Sequence, residues 1–146
     1  MRVEVATTIR APVERLVARY LDFAHWPLLF PATIRGTRLL RREGNAMIVE
    51  VDHRTAGRVI NVIRPASDRV IELEEHKPKY DATFANRFDP SEEATRYTVV
   101  ADIRLRMPYA LLAPFVKGYV RRIVRRYVLE PMREAAERDS GASRDA

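Results

Sequence analysis

The side chains best suited to moving a proton near neutral pH are three histidines, His25, His53 and His76. They lie far apart and show none of the short spacings that set two ligands on one helix or strand, so no metal site is expected. His53 ends a run in which Met47, Val49 and Val51 alternate with Ile48, Glu50 and Asp52, and it would therefore project from the apolar face of a strand. An inward histidine there could serve as acid or base; the alternative is a strand-end histidine bonded to a neighbour. Asn61, between Val59 and Ile63, and Asn86, between Phe84 and Phe88, could each orient a ligand from an apolar wall, or else bond a neighbour or turn outward. Glu75 continues the face of Ile71 and Leu73 as a candidate buried carboxylate, although its place near a strand end favours solvation. There is no Gly-x-Ser-x-Gly elbow and no phosphate-binding glycine loop. The absence of cysteine removes thiolate nucleophiles, disulfides and Cys-bound metals together. No cofactor is expected.

These residues must be held by the elements between which they fall. Arg2 to Arg10 alternates in polarity as a half-buried strand does, with Val3, Val5, Thr7 and Ile9 on one side. Ala11-Pro12 ends it and opens a short helix whose apolar positions are Val13, Leu16, Val17, Tyr20 and Leu21. Phe23 to Pro31 is too rich in aromatics and prolines for one regular helix and predicts a second short helical turn. Six strands follow: Ile34 to Glu43, Ala46 to Arg54, Arg58 to Arg64, Val70 to Lys77, Tyr80 to Asp89 and Ala94 to Met107. Their connections are tight, Gly44-Asn45 being the strongest hairpin signal, so the strands form an antiparallel meander.

The last long stretch, Tyr109 to Arg138, has helical periodicity. Leu112, Phe115, Val116, Tyr119, Val120, Ile123, Val124, Tyr127 and Val128 share one broad face, opposite Lys117, Arg121, Arg122, Arg125 and Arg126. Such a helix would be about 45 Å long, too long for the core of a chain this size, so it must lie across the sheet. Pro131 should kink it near Tyr127 to Glu130. The fold class is α+β, a curved antiparallel sheet of seven strands closed by a long C-terminal helix. Residues 1–138 would form a single domain and 139–146 a disordered tail.

The 146 residues carry a net charge of +6, which suits acidic partners. Nucleic acid is disfavoured, because the basic residues show no zinc-finger, RNP or helix-turn-helix pattern. No apolar run is long enough to span a membrane, and Arg2, Glu4 and Arg10 interrupt any signal-peptide core. A cytoplasmic protein is the expectation, with peripheral membrane contact through its basic helix face as a variant of it.

The opening strand ending Ala11-Pro12, the helix after it, Trp26-Pro27, Phe30-Pro31 and the meander resemble the START-like, or helix-grip, superfamily. That group, also labelled SRPBCC, includes birch-pollen-allergen-like proteins, polyketide aromatase/cyclases and lipid-transfer proteins. The resemblance implies an internal cavity between the concave sheet face and the long helix. Trp26, Phe30, Val51, Asn61, Phe84, Asn86 and Tyr97 would line it from one side or its mouth, together with Val99 and Ala101. Phe115, Tyr119, Ile123 and Tyr127 would face it from the helix. A hydrophobic small molecule, lipid-, sterol- or polyketide-like, is the implied ligand of a carrier or binding protein.

The alternative is a cofactor-free polyketide cyclase or dehydratase. The cyclases are proposed to use a cavity arginine on the strand matching Arg58 to Arg64, which makes Arg64 a catalytic candidate beside His53. Arg64 is displaced by about two residues from the corresponding place, and Ile60 and Val62 stand where the cyclases have aromatic residues. Lys117, Arg121, Arg122 and Arg125 are then a solvated helix back, a seat for anionic lipid headgroups, or a dock for an acidic acyl carrier protein.

Overall fold

A computed structural model describes residues 1–145, with side chains through Gly141. The strands are β1 (Arg2–Ile9), β2 (Ile34–Glu43), β3 (Ala46–His53), β4 (Gly57–Pro65), β5 (Val70–His76), β6 (Tyr80–Ser91) and β7 (Ala94–Leu105). They form one antiparallel sheet in the order β1-β7-β6-β5-β4-β3-β2. From β2 to β7 each strand simply pairs with its successor, and β1 closes onto β7 with Val3 opposite Ala101 and Val5 opposite Val99. The β2–β3 turn is two residues long, and Gly44 takes the left-handed conformation, φ 59°, that suits a residue without a Cβ.

Between β1 and β2 lie α1 (Val13–Leu21), a 3₁₀ turn (Phe23–His25) and α2 (Trp26–Leu29). Val13, Leu16 and Tyr20 are the buried face of α1. The aromatics that break up this segment account for its packing. Trp26 meets Tyr20, Phe23 and Phe30 edge to face, and its indole N–H donates to the Tyr20 carbonyl at 2.8 Å.

The C-terminal helix begins with a 3₁₀ turn (Tyr109–Leu112) and continues as α3 (Ala113–Val124), a π turn (Arg125–Leu129) and α4 (Glu130–Asp145). The sequence predicts a kink near Tyr127 to Glu130, ahead of Pro131. The helix is irregular in that stretch: a wider π turn over Arg125–Leu129 absorbs the missing backbone donor, and the chain stays helical through the proline. The helix also runs past Arg138, where a disordered tail is expected: Asp139 pairs with Arg19 of α1, and Ser140 Oγ donates to the Ala136 carbonyl. The end of that tail, Ala146, lies outside the described residues.

The two halves of this long element are held differently. Leu129, Met132, Ala135 and Ala136 are buried in the core, whereas Val124 is the one fully buried residue of α3. The second half is therefore an anchor, and the first half spans open space above the sheet. No described helix is long and apolar enough to cross a membrane.

Candidate functional site

The open space is a cavity of about 400 Å³ between the concave face of the sheet and the helix. Every strand from β2 to β7 contributes to its walls, because alternate residues of each strand point to the same side. Leu73, Phe84, Val99, Ile103 and Leu105 form the apolar part of the sheet wall. Val116, Val120, Ile123, Val124 and Val128, with Tyr119 and Tyr127, come down from the helix. Trp26, Phe30 and Ile34 border it beside α2.

Polar side chains enter this wall in three places. Asn61 and Glu75 are cross-strand partners of β4 and β5. Glu75 is only 6% exposed, contrary to the solvation its position near a strand end favours. Its Oε1 accepts the Tyr80 hydroxyl at 2.7 Å and pairs with the Lys77 ammonium at 2.8 Å. Lys77 also lies over the Tyr80 ring, 5.5 Å from its centroid. Burial and the adjacent Glu75 charge push the Tyr80 hydroxyl well above the usual phenol range, which keeps it a neutral donor. Asn61 is 2% exposed, and its Oδ1 has no partner among the described residues.

The second place is a closed network. The Tyr97 hydroxyl donates to Asn86 Oδ1 at 2.6 Å, and Asn86 Nδ2 donates to the Tyr20 hydroxyl at 3.1 Å and the Ile71 carbonyl at 3.3 Å. Both ends of the Asn86 amide are thus engaged. Burial raises the Tyr20 and Tyr97 hydroxyls above their ordinary range, so both stay protonated. The third place is His53, half-buried, whose Nε2 has no partner among the described residues. Burial, then the Lys77 charge, holds its imidazole below the usual histidine range and neutral at pH 7.

The cavity wall brings together His53, Trp26, Phe30, Asn61, Phe84, Asn86, Val99, Tyr119, Ile123 and Tyr127. Other expected positions fall elsewhere. Arg64 is not in the cavity: Val59, Asn61 and Ile63 take the inward face of β4, so Arg64 points outward and its Nη1 donates to Glu74 Oε2 at 2.9 Å. Phe115 is 83% exposed, because α3 turns that edge of its apolar arc beyond the sheet. Val51, Tyr97 and Ala101 face inward but are enclosed by the core, Tyr97 stacking on Phe88 at 4.8 Å. His25 and His76 are exposed and bonded to Asp22 and Asp81.

Tyr20, Thr33, Lys77 and Tyr80 were not singled out from sequence, yet they line the cavity. Lys77 continues the alternation of Leu73 and Glu75, and Tyr80 that of Phe84 and Asn86, so the signal was present. No cluster of potential metal ligands occurs among the described residues.

No protein-family model matches the sequence, and no curated protein matches it. Solved structures do. A START superfamily protein from Mycobacterium smegmatis is 16% identical, with a TM-score of 0.76 over 94% of this chain and 97% of that one. The Zhui aromatase/cyclase from Streptomyces sp. R1128 is 18% identical, with a TM-score of 0.74 over 94% of each chain. The di-domain ARO/CYC StfQ from the steffimycin biosynthetic pathway is 17% identical, with a TM-score of 0.75 over 97% of this chain and 52% of that one. These likenesses, together with the seven-stranded sheet gripping a long terminal helix, show that this chain has the START-like, helix-grip fold.

Proposed function

We propose that this protein binds a hydrophobic small molecule in the space between sheet and helix, as a carrier or binding protein. The observation that carries this reading is the cavity of about 400 Å³, in the size range of small-molecule sites, whose lining is apolar apart from a few converging polar groups. Removing a ligand's apolar surface from water there would supply about 25 cal/mol per Å². The test is native mass spectrometry of the freshly purified protein, followed by solvent extraction. A co-purifying lipid, sterol-like or polyketide-like molecule is the expected result. Val120→Trp, which fills the cavity from the helix side, should lower its occupancy, and equal occupancy in a folded variant would overturn the reading.

A second reading is a cofactor-free cyclase or dehydratase acting in the same cavity. What favours it is His53, a neutral imidazole lining the cavity whose Nε2 has no partner among the described residues, a candidate base for a bound substrate. It calls for a turnover rate on a poly-β-ketone that falls at least a hundredfold in His53→Ala, and full turnover by that variant would end it. Under either reading Lys117, Arg121, Arg122 and Arg125, all exposed, would face the donor or acceptor of the ligand. For a carrier that is an anionic membrane surface, and for an enzyme an acidic acyl carrier protein. Co-sedimentation with anionic liposomes that fades as salt rises would favour the former.

A further inference from the structure

Asn61 sits in the middle of β4 between Val59 and Ile63 and lines the cavity, and its buried amide oxygen has no donor among the described residues. A buried acceptor is normally satisfied, and here no described residue supplies a donor. His53 Nε2 is also buried without a partner among the described residues, but the rest of His53 is only half-buried, at the end of β3. The sharper demand is at Asn61. Its cross-strand neighbour Glu75 does not meet it, being acceptor-only and already engaged by Tyr80 and Lys77.

We infer that the molecule bound in the cavity is a hydrophobe carrying a hydroxyl, phenolic or alcoholic, that donates its proton to Asn61 Oδ1. The inference rests on the binding reading above and narrows it to a class of ligand. The neighbours and the missing donor argue against charged groups and pure acceptors. A carboxylate has no proton to give and would approach Glu75, while an ammonium would approach Lys77. A ketone or ether offers only an acceptor. A hydroxyl supplies the proton that Asn61 Oδ1 lacks and carries no charge. The Glu75–Lys77 pair leaves the site without net charge, which suits a neutral ligand.

The experiment compares two matched pairs of probes by isothermal titration: 2-naphthol against 2-methoxynaphthalene, and 1-decanol against its methyl ether. The native protein should bind each alcohol about tenfold more tightly than its ether, the ratio expected of one buried hydrogen bond. Asn61→Leu, of similar size, should bring each pair within about threefold while still binding both members. Asn61→Val serves in its place if the leucine variant does not fold. If the native protein binds alcohol and ether alike, the inference is overturned and hydrophobic binding stands. If the variant keeps the tenfold preference, Asn61 is not the group that reads the hydroxyl. If none of the four probes binds the native protein, the binding reading fails and the inference fails with it.

Discussion

Asn61 and Glu75 face each other across β4 and β5 on the cavity wall, and the described residues satisfy only one of them. Glu75 Oε1 holds the Tyr80 hydroxyl at 2.7 Å and the Lys77 ammonium at 2.8 Å, whereas Asn61 Oδ1 has no partner among the described residues. A carboxylate carries the larger desolvation cost, so it is the group that a fold must partner internally. An amide can be left for a ligand.

Glu75 should therefore depend on Lys77. Lys77→Met removes the cation and leaves a buried carboxylate with one donor, which should lower stability by about 1–3 kcal/mol in urea denaturation at pH 7. Adding Glu75→Gln to that variant should recover much of the loss, because the uncompensated charge goes with it. A double variant no more stable than Lys77→Met alone would show that the pair is not the source of the effect.

His53 sets a pH dependence whose sign follows from its depressed pKa. The folded protein binds fewer protons at this site than the unfolded chain between the lowered value and the ordinary 6.5. Its contribution to stability is thus fully present above about 6.5 and is lost as pH falls through the folded-state value. His76 has the opposite sign: the hydrogen bond to Asp81 raises its pKa, so its contribution is present below 6.5 and lost as pH rises through the raised value. His76 is exposed and solvent-screened, so the His53 slope should dominate on the acid side. Thermal melts from pH 4 to 8 should show the midpoint fall on acidification, and His53→Gln should flatten that fall. A histidine proton resonance for residue 53 titrating at or above 6.5 would contradict the assignment.

The Tyr97 hydroxyl should matter for stability and not for ligand uptake. Tyr97→Phe strips the donor from Asn86 Oδ1 in a site closed to water, which should cost about 1–3 kcal/mol. Because Tyr97 is enclosed by the core and does not line the cavity, the affinity of whichever probe binds the native protein should change by less than about threefold. A large loss of affinity with unchanged stability would reverse these roles.

Much of the fold was legible because most of its sheet obeys a period of two, the register shifts being confined to the β2–β3 pairing. Tyr97, Val99, Ala101 and Ile103 were readable as one face of β7, and that face is buried. Alternation gives the side of the sheet a residue takes, but not whether the space above it is filled. That is why Val51, Tyr97 and Ala101 lie in the core while Phe84 and Val99 meet the cavity. The parity of β4 already argued that Arg64 points outward, and only the resemblance to cyclases drew it inward. Glu75 was misread for a different reason. Its distance from a strand end says nothing of Lys77, in the β5–β6 connection, and Tyr80, at the start of β6, which close over it.

The same limit applies to the long helix, where periodicity reports the apolar arc but not how much of it is covered. Phe115 is 83% and Tyr119 62% exposed in α3, while Met132 and Ala136 in α4 are fully buried. The two halves should therefore respond unequally to substitution. Phe115→Ser should change stability by no more than about 0.5 kcal/mol, whereas Met132→Ala should cost about 2–5 kcal/mol. Hydrogen exchange should follow the same division. Amides of Ala113–Val124 lie over a cavity and need only a local opening, whereas those near Met132 and Ala136 need the core to separate. Ligand binding should slow exchange in α3 selectively, because a filled cavity gives Val116, Val120 and Ile123 the contacts they lack when it is empty. Equal protection of the two halves in the ligand-free protein would mean that the whole helix is anchored, and that ligand exchange must proceed without its movement.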